Sequence, residues 1–458
     1  MPVARWLLNL LYAAALLCAS PWIVWRSWRT GRYREGFAAK LLGHAPQRVG
    51  AGPCVWFHAV SVGEVNLIAT LVRRLQNERP EVACYISTTT RTGYELARKK
   101  YPEATVFYAP LDFSWAVETA LDRIRPSLLI LAELELWPNW IRAADTRRVP
   151  VTIINGRLSE RSFRGYSRWR WLFAPTLSRI TCVAAQTEEY AERFRCLGAQ
   201  PARVHVTGSV KFDGARGDRG NPQTVQLAAL AGIVPSDVVF LAGSTQEPEE
   251  AAALDAFRLL TPRHPELRLI LVPRHPERFT TVAKLLDSSG IPWQRRSELS
   301  PTSTTTNSAH VLLVDTVGEL GAWWGTAHIG FVGGSLGRRG GQNMIEPGAY
   351  GAAVCFGPNT QNFRDIVALF LAVQAAVVVP DAAGLASFVE RCLSEVDYRE
   401  TLGRRAKELV ATQLGATERT WQLLAPLIPT VSPLQSQRSD SQYRPCHVSR
   451  RSNSASSA

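Results

Sequence analysis

The stretch VWFHAVSVGEVNLIATLVRRLQ at residues 55–76 decides the fold. An apolar run over 55–60 is followed by a turn that contains Ser61 and Gly63, and apolar residues then recur at helical spacing over 65–76. This pattern predicts a buried β-strand that leads directly into an α-helix. Further strand-like runs follow at ACYIST (83–88), SLLILAE (127–133), VTIIN (151–155) and ITCVAAQ (180–186). Strands that alternate with helices indicate parallel βαβ units, with helices on both faces of the sheet.

The same alternation starts again after a polar, glycine-rich stretch, GARGDRGNPQ (214–223), which is typical of a linker. Its strands are predicted at VVFLAG (238–243), LRLILV (267–272), HVLLVD (310–315), HIGFVGG (328–334) and AAVCFG (352–357). The predicted fold class is therefore α/β with two Rossmann-like domains, since 458 residues exceed what one core usually serves. In such folds the ligand binds at the carboxyl ends of the strands, so we expect the substrates in a cleft between the domains.

These patterns set the expected domain boundaries. They are an N-terminal membrane helix over 4–26, a first Rossmann-like domain over 30–207, a linker over 208–223, a second Rossmann-like domain over 224–426 and a tail over 430–458. The tail has too few apolar residues to form a core and is predicted to be disordered. The polar segment over 295–309 is predicted to be a surface loop.

The N-terminal segment WLLNLLYAAALLCASPWIVW (6–25) carries no charge and has the length of about 20 residues that a bilayer requires. Pro21 follows the small residues that a signal peptidase would need, which disfavours a cleaved signal peptide. Basic residues follow the segment at Arg26, Arg29, Arg32, Arg34 and Lys40, whereas Arg5 alone precedes it. The positive-inside rule therefore predicts a membrane anchor with the domains in the cytoplasm. A tilted or partly interfacial helix is the alternative.

The composition narrows the class of partner. The net charge of +13 indicates an anionic partner, and the absence of nucleic-acid-binding motifs favours a membrane surface with a phosphorylated lipid. Eight cysteines without a CxxC pair are typical of reduced thiols in the cytoplasm. No HExxH, P-loop or Asp-x-Asp motif is present, so we expect neither a cofactor nor a metal. Helix dipoles and arginines would then neutralise a departing phosphate.

Two motifs in the first half carry candidate acids. In HAVSVGEV (58–65) a strand ends and a helix begins, so Glu64 falls in the first helical turn. A carboxylate there is either a partner of the helix dipole or a general base at the mouth of the sheet. In AELELWPN (132–139), Glu133 and Glu135 would point to the same side of a strand. That pair either divides acid and base roles or is a surface pair.

The main motif of the second half is FVGGSLGRRGGQNMIEPGAYG (331–351), in which the glycines at 333, 334, 337, 340, 341 and 348 lie around a helix start predicted near Asn343. Glycines allow close approach of the backbone to a phosphate, and Arg338 and Arg339 add positive charge. Glu346 is either a capping-box carboxylate or a hydrogen-bond partner of ribose hydroxyls.

Two weaker motifs accompany this loop. LVPRHPERF (271–279) concentrates Arg274, His275 and Arg278 at the end of a strand, where a phosphate or a pyrimidine would sit or where the residues simply form a solvated loop. DTVGEL (315–320) offers a turn with backbone donors and one carboxylate.

Taken together, these strings resemble the 3-deoxy-D-manno-octulosonic acid (Kdo) transferases of lipopolysaccharide assembly, from about Arg32 to about residue 425. The resemblance rests on GRYREGFAAKLLG, HAVSVGE, TRTGYE, YAPLDFSWAV, ELWPN, NGRLSERSFRGY, TGSVKFD, VPRHPERF, DTVGEL, FVGGSLGRRGGQN and GPNTQNFRD in one order. It implies a GT-B fold and metal-independent, inverting transfer of Kdo from CMP-Kdo to lipid IVA at the inner membrane.

The resemblance also implies roles for individual residues. Glu64 would be the general base. The CMP contacts would fall on Pro273, Arg274, Val317, Gly318, Glu319, Leu320, Asn343, Met344, Ile345 and Glu346. The chain departs from the common family pattern at Leu134, Gln246, Pro248 and Gln342, where Thr, His, Gly and His are usual. A related GT-B enzyme with another nucleotide sugar and an inactive lipid-binding scaffold are the alternative functions.

Overall fold

The computed structural model describes residues 2–30, 35–215, 217–300 and 309–430. The tail predicted beyond 430, Arg32, Arg34 and residues 301–308 of the predicted loop lie outside the described residues. The chain divides into two compact units. One contains the residues up to Val210 together with those from Gly415 onward, and the other is Lys211–Leu414.

The first unit is built on a seven-stranded parallel sheet with the order β3-β2-β1-β4-β5-β6-β7. Its strands are β1 Cys54–His58, β2 Ala83–Thr88, β3 Thr105–Tyr108, β4 Leu128–Ala132, β5 Val151–Gly156, β6 Cys182–Ala185 and β7 Val204–Val206. Its helices are α1 Pro2–Thr30, α2 Phe37–Leu42, α3 Val62–Leu67, α4 Ala69–Glu78, α5 Arg91–Lys100, α6 Ser114–Ile124, α7 Pro138–Thr146, α8 Glu160–Arg168, α9 Arg170–Leu177 and α10 Glu188–Leu197.

The central strands of this sheet explain its apolar sequence runs. Every residue of β1 and of β4 is buried, because helices cover both faces of a parallel sheet. Trp56 and Phe57 are neighbours in β1, yet they pack into separate cores on opposite faces, as the alternation of side chains along a strand requires.

The second unit repeats this architecture with the strand order β10-β11-β9-β8-β12-β13-β14, again parallel throughout. Its strands are β8 Val238–Thr245, β9 Leu267–Pro273, β10 Trp293–Arg295, β11 Val311–Leu313, β12 Ile329–Val332, β13 Ala353–Phe356 and β14 Ala376–Val378. Its helices are α11 Pro222–Leu230, α12 Glu249–Leu260, α13 Phe279–Ser289, α14 Leu320–Trp323, α15 Ile345–Ala349, α16 Arg364–Ala372, α17 Ala382–Ser394 and α18 Val396–Gln413. The prediction of two parallel-sheet α/β domains is confirmed.

The structure adds four strands that the sequence patterns did not predict: β3, β7, β10 and β14. All four are edge strands of three or four residues. An edge strand is hydrogen-bonded on one side and partly exposed, so its sequence lacks the continuous apolar run of a central strand.

The observed units differ from the expected domains at the linker and at the last helix. Arg219 donates hydrogen bonds to the carbonyls of Tyr350, Gly325 and Ala327 at 2.9, 2.9 and 2.6 Å, which ties this part of the linker to the second unit. The expected range of the second domain, 224–426, extends through helix α19 (Ala416–Leu424), whereas the structure groups α19 with the first unit. The buried Trp421 of α19 donates from its indole N–H to Glu78 of α4 at 2.7 Å, a contact that helical periodicity does not encode.

The N-terminal segment forms the helix α1, and within the described residues no helix is both long enough and apolar enough to cross a membrane. The membrane span predicted over 4–26 is therefore not confirmed. Three side chains on one face of α1 bind the first unit: Arg5 donates to Glu118 at 3.0 Å, Asn9 to Ser114 Oγ at 2.8 Å and Tyr12 to Asp112 at 3.0 Å. Large apolar side chains on the rest of the helix are exposed: Trp6, Leu7, Leu10, Leu11, Leu16, Leu17, Trp22, Val24, Trp25 and Trp28.

Candidate active site

Glu64 lies where the first unit's central strand gives way to a helix. β1 ends at His58 and α3 begins at Val62, so Glu64 is in the first turn of α3, as predicted. Its half-buried carboxylate folds back onto the preceding loop, where Oε2 accepts from the Val60 N–H at 2.7 Å and Oε1 from the Ser61 hydroxyl at 3.0 Å. These two donors hold the carboxylate in one orientation at the start of the helix.

The loop that carries Glu64 is fixed to the end of the neighbouring strand. Thr88 and Thr90 donate from their hydroxyls to the Val60 carbonyl at 3.1 and 3.3 Å. Gly93, the glycine of TRTGYE, stands so close that a Cβ there would lie 2.5 Å from Thr88 Oγ1. A larger residue at position 93 would therefore displace the support of the Glu64 loop.

A buried histidine lies beneath this loop. His58 Nδ1 is 2.9 Å from Ser87 Oγ, and Trp56 donates from its indole N–H to the same oxygen at 2.8 Å. The Ser87 hydroxyl thus binds both rings, and the tautomer of His58 sets which of His58 and Ser87 donates. Complete burial lowers the pKa of His58 to about 4, so the ring is neutral at physiological pH.

Glu133 and Glu135 lie beside Glu64, but their geometry differs from the prediction. β4 ends at Ala132 and Glu133 has a positive φ of 58°, so the two carboxylates do not sit on one side of a strand. Burial, together with the negative charges of Glu64 and Glu133, raises the pKa of Glu135 to about 7. Trp137 donates from its indole N–H to Glu135 at 2.6 Å. Three acids therefore gather at the carboxyl ends of the paired strands β1 and β4.

The segment that carries Glu133 and Glu135 is anchored by Asp112, a residue to which none of the sequence motifs gave a role. Asp112 accepts from the backbone N–H groups of Asn139 and Trp140 at 3.2 and 3.0 Å, which caps the start of α7. It also accepts from Tyr12 of α1. Burial raises the pKa of Asp112 to about 7, although its hydrogen bonds oppose the shift. Its only sequence signal was its place in YAPLDFSWAV.

The predicted CMP motifs of the second unit come together around Glu346. The Asn343 side chain accepts from the Ile345 N–H and donates to Glu346, both at 3.1 Å, so Asn343 caps the start of α15. Burial raises the pKa of Glu346, while the hydrogen bond from Asn343 and the positive charge of Arg274 lower it. A Cβ on Gly321, next to the GEL turn, would lie 3.8 Å from the other Glu346 oxygen. The three motifs 273–274, 317–321 and 343–346 therefore share one neighbourhood.

The exposure of these residues limits how each can meet a ligand. The side chains of Met344 and Ile345 are 0% and 2% exposed and belong to the core, so only their backbone groups can contact a ligand. Val317 is 79% exposed, and nothing lies within 4 Å of a Cβ built on Gly318. The turn at 317–318 is thus open to a ligand.

Glu319 has partners within the protein. Arg296 binds its carboxylate with two hydrogen bonds of 2.9 Å, and Thr316 and Trp323 donate to it at 2.8 and 3.2 Å. The side chain therefore shapes the GEL turn, which leaves backbone groups as the donors to a ligand. Arg296 lies outside every predicted motif, and no pattern in the sequence pairs it with Glu319.

The glycine-rich loop was predicted to bring its backbone close to a phosphate, but its amides bind a carboxylate of the protein. The backbone N–H groups of Gly334, Ser335 and Leu336 donate to the buried Glu249 at 2.7, 2.8 and 2.9 Å, and the Gln246 N–H does so at 2.9 Å. A Cβ on Gly333 would lie 2.6 Å from the Ser244 carbonyl, so this glycine serves close packing within the protein. Three loop amides are therefore already bound by a carboxylate of the protein itself.

The buried carboxylate of Glu249 is held by these four hydrogen bonds. Burial raises its pKa, and the backbone donors lower it. Among the described residues, no group of three or more His, Cys, Asp or Glu side chains has the geometry of a metal site.

Two parallel α/β units, with an acid site on one and nucleotide-type motifs on the other, define a GT-B-like protein. The UDP-GlcNAc 2-epimerase of Neisseria meningitidis, solved with bound UDP-GlcNAc, has the same fold: the TM-score is 0.53 at 15% identity, over 82% of this chain and all of that one.

The sequence comparisons identify the family. Residues 29–214 match the family described as 3-Deoxy-D-manno-octulosonic-acid transferase (kdotransferase). The 3-deoxy-D-manno-octulosonic acid transferase of Haemophilus influenzae is 32% identical over 91% of this chain and 98% of its own length. That of Bordetella pertussis is 34% identical over 89% and 97%. The chain belongs to the Kdo transferase family.

Proposed function

We propose that this protein transfers Kdo from CMP-Kdo to lipid IVA, the lipid A precursor, in the assembly of the lipopolysaccharide core. The observation that carries the proposal is the cluster of Glu64, Glu133 and Glu135 in a chain that is 32–34% identical to named Kdo transferases over almost their whole length. Such a cluster supplies a carboxylate that can take a proton from an acceptor hydroxyl.

Glu64 is the proposed general base. Its carboxylate accepts the proton of an acceptor sugar hydroxyl while that oxygen attacks the anomeric carbon of Kdo. The bond from the anomeric carbon to the phosphate oxygen breaks, and CMP leaves with the electron pair. Inversion at the anomeric carbon follows from a single displacement. The contacts from Val60 and Ser61 hold the carboxylate in place.

The second unit holds the nucleotide in this proposal. Arg274 binds the phosphate, and the free Oε2 side of Glu346 binds ribose hydroxyls, since Asn343 occupies only Oε1. Backbone groups of Met344, Ile345 and the 317–320 turn complete the CMP contacts. No step needs a metal, because the guanidinium and backbone donors neutralise the departing phosphate.

We further propose that the protein works at the cytoplasmic surface of the inner membrane, where its lipid acceptor lies. Support comes from the exposed tryptophans of α1 and from the overall charge of +13. Arg26 and Arg29 lie over the rings of Trp22 and Trp25, at 5.0 and 5.2 Å from the centroids. Tryptophan and arginine together are typical of a helix that binds an anionic interface.

The test is mass spectrometry of lipid IVA after incubation with the purified protein and CMP-Kdo. We expect a product that has gained Kdo, and a Glu64→Gln variant that forms it at least about a hundredfold more slowly under the same conditions. A panel of UDP-sugars distinguishes the alternative enzyme, which would transfer one of these instead. Absence of transfer from every donor, in single-turnover conditions, would favour the lipid-binding scaffold.

A further inference from the structure

A pocket of about 380 Å³ lies at the carboxyl ends of three neighbouring strands of the second unit. Gln246 follows β8, His275 follows β9, and Gly334 follows β12; all three line the pocket, together with Arg338 and Arg339 of the glycine-rich loop. We call it the loop pocket. Two of these strands, β9 and β12, also lead into proposed nucleotide contacts.

The charges in the loop pocket leave two guanidinium groups available. Arg278 is bound by Glu250 through two hydrogen bonds of 3.0 Å and lies 3.6 Å from Glu247. Glu249 is occupied by four backbone N–H groups. Over the described ranges, no carboxylate forms an ion pair with Arg338 or Arg339.

Two carboxylates offset this charge. Glu247 and Glu277 are exposed and line the pocket as well. Since Glu250 already pairs with Arg278, two guanidiniums and these two carboxylates remain. Arg338 and Arg339 are adjacent and can bind one anion together, while the carboxylates can accept hydrogen bonds from hydroxyl groups of the same ligand.

The two arginines stand on a fixed backbone. Glu249 binds the three amides that precede them, and the Gly341 N–H donates to the Gly334 carbonyl at 2.8 Å, which closes the loop on itself. Asn362 donates to the Arg339 carbonyl at 2.9 Å. The backbone is thus held on both sides while the two side chains remain exposed.

The loop pocket is also next to the nucleotide motifs along the chain. Arg274, whose charge acts on Glu346, directly precedes His275 of the pocket wall. The loop that carries Arg338 and Arg339 continues to the Asn343 cap. A ligand with its nucleotide at 343–346 therefore has this pocket beside it for its remaining part.

We propose that the loop pocket receives the sugar half of the donor and that Arg338 and Arg339 bind the carboxylate of an acidic sugar. This inference rests on the proposed function, because Kdo carries a carboxylate on its anomeric carbon. Planar guanidinium groups match a carboxylate with paired hydrogen bonds. Glu249 is a positioning residue, which acts through the loop amides and not on the substrate.

The first experiment compares three variants with saturating lipid IVA. We expect the double variant Arg338→Ala/Arg339→Ala to raise the KM for CMP-Kdo about tenfold or more, with the inhibition constant of CMP unchanged. The charge-retaining Arg338→Lys/Arg339→Lys variant should recover part of the loss. Arg258→Ala, on the exposed surface of α12 and paired with Asp255, is the matched control and should behave as the wild type.

The outcomes separate the two proposals. If the wild type transfers Kdo and the Ala double variant has an unchanged KM for CMP-Kdo, the assignment of the pocket is wrong. An equal loss of affinity for CMP and CMP-Kdo overturns it too, because the arginines would then serve the nucleotide. A wild-type protein that transfers nothing from CMP-Kdo contradicts the proposed function itself.

A second experiment uses a readout that a purely structural role would not change. For the wild type, a CMP-Kdo analogue with a methyl-esterified sugar carboxylate should have a kcat/KM about tenfold lower than that of CMP-Kdo. For the Ala double variant, the kcat/KM of the analogue and of CMP-Kdo should be equal. Glu249→Gln should raise the KM for CMP-Kdo while binding CMP normally. Discrimination against the ester that persists in the Ala double variant would refute the proposal.

Discussion

Glu64 and Glu135 follow the carboxyl ends of the paired strands β1 and β4 and act on each other: burial and the charge of Glu64 bring the pKa of Glu135 to about 7. At neutral pH, Glu135 is thus close to half ionised beside a carboxylate that is held by two donors. Two acids with different environments can take different roles in one reaction.

Replacing the proposed base should greatly slow transfer without loss of the fold. Glu64→Gln retains an oxygen that can accept from the Val60 N–H, so we expect the thermal midpoint to stay within a few degrees. Transfer should fall by about 10² to 10⁴-fold, which is the range for removal of a general base. Glu103→Gln, an exposed acid of the same unit, is the control. Normal turnover by the Glu64 variant would exclude this residue as the base.

The pH profile should report Glu135. As the pH rises through about 7, Glu135 loses its proton, and its added charge makes Glu64 a stronger base. We therefore expect kcat/KM to rise through this range in the wild type. In Glu135→Gln the inflection near pH 7 should disappear, since the amide does not titrate. A profile that keeps this inflection in the variant would show that another group is responsible.

The buried His58 should make the first unit sensitive to acid. Its pKa is about 4 in the folded state and about 6.5 when unfolded, so its contribution to stability is complete above pH 6.5 and is lost as the pH falls through 4. The shift corresponds to at most about 3 kcal/mol. We expect the thermal midpoint of His58→Gln to fall less between pH 7 and pH 4.5 than that of the wild type. In His205→Gln, a substitution at an exposed position, the thermal midpoint should fall as much as in the wild type.

The docking of α1 should depend on Asn9, which is 3% exposed and exchanges hydrogen bonds with Ser114. Asn9→Ala leaves buried partners unsatisfied, at a cost of about 1–3 kcal/mol. We expect faster hydrogen exchange throughout α1 and faster proteolysis in the variant. Ser20→Ala, whose hydroxyl donates to the Leu17 carbonyl of the same helix, should leave both rates unchanged. Equal protection of α1 in the two variants would contradict this docking role.

Membrane binding should depend on the exposed tryptophans of α1. The triple variant Trp22→Ala/Trp25→Ala/Trp28→Ala removes large aromatic surface, so we expect binding to anionic phospholipid vesicles to weaken about tenfold or more. The control replaces three exposed apolar residues of the second unit, Leu371, Val373 and Val378, by alanine. Equal vesicle binding by the two triple variants would contradict the membrane role of α1.

Much of the fold and part of the candidate site could be predicted from local patterns. The apolar runs at β1 and β4 and the helical spacing that follows them predict parallel α/β units. The position of Glu64 in a first helical turn and the cap by Asn343 also follow from neighbouring residues. These features depend on contacts over a few positions, and hydrophobic periodicity records such contacts directly.

The partners of the functional groups were decided by the tertiary structure. Glu249 binds amides more than 80 residues away, Arg296 meets Glu319 across 23 residues, and Asn9 reaches Ser114 across 105. The sequence alone determined which segments form strands and helices, because that choice is made by local periodicity and by burial. Only the packed sheets decided which carboxylate meets which donor, because residues far apart in the chain become neighbours when their strands and helices are stacked.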